Sequence, residues 1–210
     1  MKIGIIDLGI NNLSSVSRAF SLAKGNSDEI KVVSTQENEN FDLLVLPGLG
    51  KFEAGMKALN SQGLTQWITN SVSHETKIVG ICLGMQLLAS SSDESPGIKG
   101  LDLVEGHVTK LVPLKNSRVP HMGWNEVKAI EGNYFSGKLS KTGDYYFVHS
   151  YHLVPSNFES VVGQTFFGMD TFASVVQGRN ILGLQFHPEK SGNRGEKLII
   201  DLIEWARNEG

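Results

Sequence analysis

Twice in the first half of this chain an apolar run ends in a glycine-flanked turn and passes directly into a helical pattern. Residues 43–46 lead into Pro47-Gly48-Leu49-Gly50 and a helical pattern over 52–59; residues 78–81 lead into Cys82-Leu83-Gly84 and a helical pattern from Met85 towards residue 90. Near-continuous apolar runs, unlike alternating ones, mark strands covered on both faces, as in parallel sheets flanked by helices. The runs at 2–6 and 31–33 have the same character, and Leu13, Val16, Ala19, Phe20 and Ala23 predict a helix over 12–23 between them. Further helices are predicted over 64–72 and 196–208. This alternation predicts an α/β fold with a mostly parallel central sheet flanked by helices. The middle of the chain differs, with strand-like pieces at 107–111, 125–127, 145–148, 160–165 and 171–176 that predict a mixed or antiparallel extension. Residues 181–186 then return as a core strand. Residues 92–100, rich in Ser, Asp, Pro and Gly, read as a loop. No linker interrupts the sequence, so a single domain over residues 1–210 is expected.

Composition narrows the function classes. With 40% hydrophobic residues the chain can bury a sizeable core. The formal net charge is −3 and no basic run stands out, which argues against nucleic acid as a partner. No apolar run approaches the roughly 20 residues that span a bilayer. The N-terminus reads as a first strand and not a signal peptide, so no membrane association is expected. Cys82 is the sole cysteine; an internal disulfide is excluded and a cytoplasmic setting is expected. One cysteine and scattered histidines make no zinc site, so no metal and no cofactor are expected.

The segment Ile78-Val79-Gly80-Ile81-Cys82-Leu83-Gly84-Met85-Gln86 carries the clearest chemistry. An apolar strand running into Gly-x-Cys-x-Gly and then a helix has the arrangement of a nucleophile elbow, whose glycines allow close backbone packing. The N–H groups and dipole of the following helix favour thiolate, and Leu83 N–H can serve as one arm of an oxyanion hole. The competing reading of Cys82 is a small buried apolar residue. A cysteine nucleophile needs a base, and the base an orienting group. His187 follows an apolar strand and precedes Pro188, at a carboxyl strand end where open α/β sheets gather reactive groups; Glu189 lies on the same side if the chain stays extended through Pro188. The competing readings there are a capping histidine and a solvated carboxylate. The Pro47-Gly48-Leu49-Gly50 turn presents backbone N–H groups that suit the second arm of an oxyanion hole. The other histidines, His74, His107, His121, His149 and His152, read individually as structural or surface residues.

Together these segments resemble the class I glutamine amidotransferases: Gly80-Ile81-Cys82-Leu83-Gly84-Met85-Gln86 and Phe186-His187-Pro188-Glu189 stand in that family's order Cys, His, Glu. Within the class the chain is most similar to glutaminase subunits of imidazole glycerol phosphate synthases. The residues that carry this are Leu46-Pro47-Gly48-Leu49-Gly50, Pro120-His121-Met122-Gly123-Trp124-Asn125, Tyr146-Phe147-Val148-His149-Ser150-Tyr151 and Gln185 to Ser191. The resemblance implies the flavodoxin-like fold of that class and hydrolysis of glutamine through a thioester on Cys82, with His187 moving the proton and Glu189 orienting it. It implies an oxyanion hole from Leu83 and the Leu49–Gly50 peptide, and a glutamine site at Gln86, Ser150 and Tyr151. It also implies a heterodimer with a (β/α)₈-barrel cyclase subunit that receives the ammonia, with Asn12, Trp124 and Lys190 at the interface. The stretch Ile6-Asp7-Leu8-Gly9-Ile10-Asn11-Asn12-Leu13 departs from the family's Ile-Asp-Tyr-Gly-Met-Gly-Asn-Leu. That departure leaves the partner open: a paralogous glutaminase serves a barrel that amidinates sugars, and a non-catalytic regulatory subunit is the remaining alternative.

Overall fold

The computed structural model describes residues 1–10, 13–113, 118–132, 135–139 and 142–208. The chain begins β1 (Lys2–Ile6), α1 (Leu13–Ala23), β2 (Glu29–Val33), β3 (Leu43–Gly48), α2 (Phe52–Ser61), α3 (Leu64–Ser73), β4 (Lys77–Cys82) and α4 (Leu83–Leu87). It continues β5 (Ser91–Ser92), β6 (Gly106–Lys110), β7 (His121–Ala129), β8 (Thr142–His149) and β9 (Tyr151–Pro155). It ends β10 (Val161–Phe167), β11 (Asp170–Gln177), β12 (Ile181–Leu184) and α5 (Gly192–Arg207).

The nine-stranded sheet has the order β2-β1-β3-β4-β12-β11-β10-β7-β8. Its first five strands are mutually parallel, and β11, β10, β7 and β8 extend it antiparallel. This is the expected mixed architecture. The continuous apolar runs follow from it. Along β3, Leu43 and Val45 join the core shared with Val16 and Phe20 of α1 and Leu198 and Leu202 of α5. Leu44 and Leu46, pointing the other way, join the core shared with Met56, Leu59, Leu64 and Ile68 of α2 and α3. A strand covered by helices on both faces has no solvent side to mark with polar residues.

Three sequence expectations differ from the structure. The helix after Cys82 stops at Leu87. Its last carbonyls turn away to other partners: Leu87 O accepts Leu101 N–H, Leu88 O accepts Leu103 and Val104, and Ala89 O accepts Asp102. Those bonds replace the i→i−4 ladder, and a helix of this length has little macrodipole. Second, β5, β6 and β9 form a separate three-stranded sheet, although Tyr151–Pro155 carries no signal that sets it apart from β8. Only Ser150 separates the two strands, and its carbonyl accepts the Leu111 N–H at 3.0 Å. Third, β7 begins at His121, paired with β8 from His121↔His149 to Lys128↔Thr142. Among the described residues no helix is long and apolar enough to cross a membrane.

Candidate active site

Cys82 closes β4 with φ 55° and ψ −109°, a conformation that a non-glycine residue rarely adopts and that aims the side chain out of the strand end. The turn exists because both flanking glycines lack a β-carbon: one built on Gly80 would lie 2.7 Å from the Gly84 carbonyl. Cys82 is buried, its sulfur 3.7 Å from Val148 O and 3.9 Å from Gln185 Nε2.

His187 follows β12 and is pinned by its own N–H to Tyr146 O at 2.9 Å, while Ser191 Oγ donates to its carbonyl at 2.6 Å. The chain does not stay extended through Pro188. It folds into a 3-10 turn, Pro188–Lys190, and Glu189 reaches back so that its Oε1 meets His187 Nδ1 at 2.8 Å. The same-side expectation for Glu189 therefore holds by a different backbone path. The two side chains are 3% and 1% exposed, too dry for bulk water to compete for the pair. Burial lowers the His187 pKa, but the Cys82 sulfur and the Glu189 carboxylate outweigh it and push it up to about 10. The ring is thus an imidazolium at neutral pH, and its Nε2 is buried without a hydrogen-bond partner of good geometry.

A cavity of about 170 Å³ opens over the sulfur. It lies below the roughly 300–1,000 Å³ of drug-sized sites and suits one small polar molecule. Every residue singled out for the oxyanion hole and glutamine borders it: Leu49, Gly50, Leu83, Gln86, Ser150 and Tyr151, together with Cys82. Gly50 has φ +111°, so this turn relies on glycine. His187 and Glu189 border a smaller void shared with Pro47, Gly48 and Leu49, and Leu49 lines both spaces. Glu94 also lines the cavity, a residue sequence reasoning missed. Nothing marks an acid in a polar loop as special; its Oε2 accepts Phe52 N–H at 2.8 Å, which fixes it at the start of α2.

The proposed partner-facing residues are partly gathered. Trp124 is 56% exposed, not a core aromatic, and packs at 6.2 Å on Tyr146, over which Lys190 Nζ sits at 5.8 Å. Met122 on the same strand is also exposed. Asn12 lies outside the described residues.

The profile described as Glutamine amidotransferase class-I matches residues 5–204. The chain belongs to this family. Among this family's curated members, imidazole glycerol phosphate synthase subunit HisH of Thermotoga maritima is 43% identical over 206 residues, covering 97% of each chain. The subunit of the same name from Methanothermobacter thermautotrophicus is 41% identical, covering 98% of this chain and 99% of that one. Among solved structures, one titled as a glutamine amidotransferase superposes with a TM-score of 0.74 at 19% identity, over 97% of this chain and 98% of that one. The structure of PurLQS from Thermotoga maritima gives 0.69 at 18% identity, over 98% and 99%. These two establish the class-I amidotransferase fold.

Proposed function

We propose that this chain, as one domain, is the glutaminase subunit of an imidazole glycerol phosphate synthase in histidine biosynthesis. The reading rests above all on the buried line Glu189–His187–Cys82 behind a cavity sized for an amino acid, in a chain 43% identical to a subunit of that name.

The thiolate of Cys82 attacks the glutamine side-chain carbonyl carbon. The oxygen takes up negative charge towards Leu83 N–H and a peptide N–H beside Leu49 and Gly50. His187 Nε2 gives its proton to the leaving nitrogen; the C–N bond breaks, ammonia departs and a γ-glutamyl thioester remains on Cys82. The neutral imidazole then takes a proton from water, hydroxide adds to the thioester, and glutamate leaves with the thiolate restored. Glu189 holds Nδ1 and stabilises the imidazolium in both halves. Glu94 supplies a carboxylate for the substrate's ammonium group, beside Gln86, Ser150 and Tyr151. The partner in this reading is a (β/α)₈-barrel cyclase bound over Trp124, Tyr146 and Lys190 in a heterodimer. The setting is cytoplasmic, where a lone cysteine stays reduced.

The test measures glutamate release by the chain alone, with the barrel subunit, and with barrel plus nucleotide analogue. Two glycines flank Leu49, so the peptide there reorients at modest cost and the isolated chain is expected to idle. Stimulation of roughly 10²–10³-fold corresponds to completing one oxyanion donor. Substituting Lys190→Ala lowers that stimulation. A chain with no glutamate release in any of the three states is not a glutaminase.

A further inference from the structure

His121 and His149 are buried at 5% and 6% exposure and face each other as a cross-strand pair on β7 and β8. Their rings lie in an aromatic cage: His121 stacks on Phe147 at 4.7 Å and meets Phe167 at 4.4 Å, and His149 meets Phe172 at 5.1 Å. Read singly each is a packing residue. Read together they have a direction, because carbonyls fix both ends of the line.

His149 Nδ1 lies 2.8 Å from Tyr151 O. A carbonyl only accepts, so Nδ1 carries the hydrogen and, in a neutral ring, Nε2 is the acceptor. His121 Nδ1 lies 3.0 Å from that Nε2 and must donate to it, which leaves His121 Nε2 to accept from Asn125 Nδ2 at 3.1 Å. Asn125 is itself oriented, its nitrogen donating to Phe166 O at 3.0 Å and its oxygen accepting Glu126 N–H at 2.8 Å. Every hydrogen is thus assigned, and a second proton on either ring would set two donors against each other. Burial lowers the His121 pKa to about 4. Burial also takes His149 to about 3, against the Tyr151 carbonyl and with His121, His152 and His187 lowering it further. Both rings are neutral throughout the physiological range.

The line ends at the substrate cavity. Tyr151 O accepts a second hydrogen bond, from Gln86 Nε2 at 2.7 Å. The same nitrogen donates to Gln185 Oε1 at 3.2 Å, and Gln185 Nε2 points at the Cys82 sulfur at 3.9 Å. With both its N–H groups engaged, Gln86 has only its oxygen left to offer glutamine.

We propose that Asn125, His121 and His149 are positioning residues of the glutamine site: acting through the Tyr151 carbonyl, they hold Gln86 with its nitrogen turned inward and its oxygen presented to the substrate's N–H groups. This rests on the glutaminase reading. Without His149 Nδ1–H the carbonyl loses one of two donors, and Gln86 gains freedom to turn its nitrogen to the cavity, where it repels the ammonium it should accept from.

The test is the glutamine dependence of glutamate release by the full chain with its partner subunit. His149→Phe keeps the ring packing and removes the donor; KM for glutamine is expected to rise roughly 3–10-fold, the weight of one neutral hydrogen bond, with kcat changing less. His149→Asn carries an N–H near the position of Nδ1 and is expected to recover most of that loss at a similar thermal midpoint. His121→Phe, one step further out, gives a smaller rise in KM and stands in should His149→Phe not fold. An unchanged KM in the phenylalanine variants, or equal impairment in His149→Asn and His149→Phe, overturns the proposal while the wild-type complex still turns over. A wild-type complex that releases no glutamate overturns the glutaminase reading and this one with it.

Discussion

Gly84 packs so tightly against Leu46 that a β-carbon on it would lie 1.7 Å from the Leu46 carbonyl oxygen. Gly84 is thereby wedged beneath the strand that leads into the Pro47-Gly48-Leu49-Gly50 turn, and no side-chain rotation relieves a clash with backbone. Gly84→Ala must move β3 or α4. Such overpacking costs about 1–3 kcal/mol or more, read as a lower urea midpoint with loss of turnover. Gly137→Ala, where nothing lies within 4 Å, should leave both unchanged. A Gly84→Ala protein as stable and active as the parent would show that the elbow tolerates a wider spacing.

Cys82→Ala removes the sole thiol at the strained turn. Glutamine hydrolysis should disappear, yet the complex with the partner should form and should make product from added ammonium salt. Loss of the ammonium-driven reaction as well would assign Cys82 a structural role.

His187→Asn and Glu189→Gln should separate. In the proposed mechanism His187 moves the proton itself and Glu189 acts only through Nδ1, at 2.8 Å, so the first variant should lose nearly all turnover and the second keep a measurable part. Single-turnover glutamate release checks this. Wild-type rates in His187→Asn would remove the histidine from the mechanism.

Acid should destabilise the fold in a window that belongs to histidine. His121 and His149 titrate ordinarily near 6.5 but in the fold near 4 and 3. Below pH 6.5 the unfolded chain therefore binds protons that these two folded rings refuse; the pair's contribution to stability is full above 6.5 and falls as pH drops from there. The slope approaches about 1.4 kcal/mol per pH unit for each ring well below 6.5. Carboxylates lowered by ion pairs act only at lower pH: Glu39, held at about 2 by Lys2 and Lys31, gives up its contribution to stability only as pH falls from its ordinary 4.5 towards 2. Urea unfolding from pH 7 to 5 should show the slope in the parent and a shallower one in His121→Phe. Equal slopes would mean that the pair accepts protons in place.

The sequence by itself determined the parts whose cause is local. Apolar runs at 2–6, 43–46 and 78–81 give strands because covered strands carry no polar face, and Gly80 and Gly84 at two residues either side of Cys82 give the elbow because backbone must pass where a β-carbon would be. His187 before Pro188 was legible as a strand end, and its place beside Glu189 followed from the family order of these residues. The tertiary structure alone decided what depends on partners far along the chain. α4 ends at Leu87 because carbonyls are taken by residues 101–104. The chain changes sheets at Ser150 because β9 finds β6, with no glycine or proline to announce it. The start of α2 is capped by Glu94 and Ser95, 42 residues on, where its own Lys51 provides no side-chain bond. His121 and His149 become one directional line only when β7 pairs with β8 and buries both rings among phenylalanines. A hydrogen bond across 28 residues has no periodicity to leave in a sequence; it exists once the sheet sets the register.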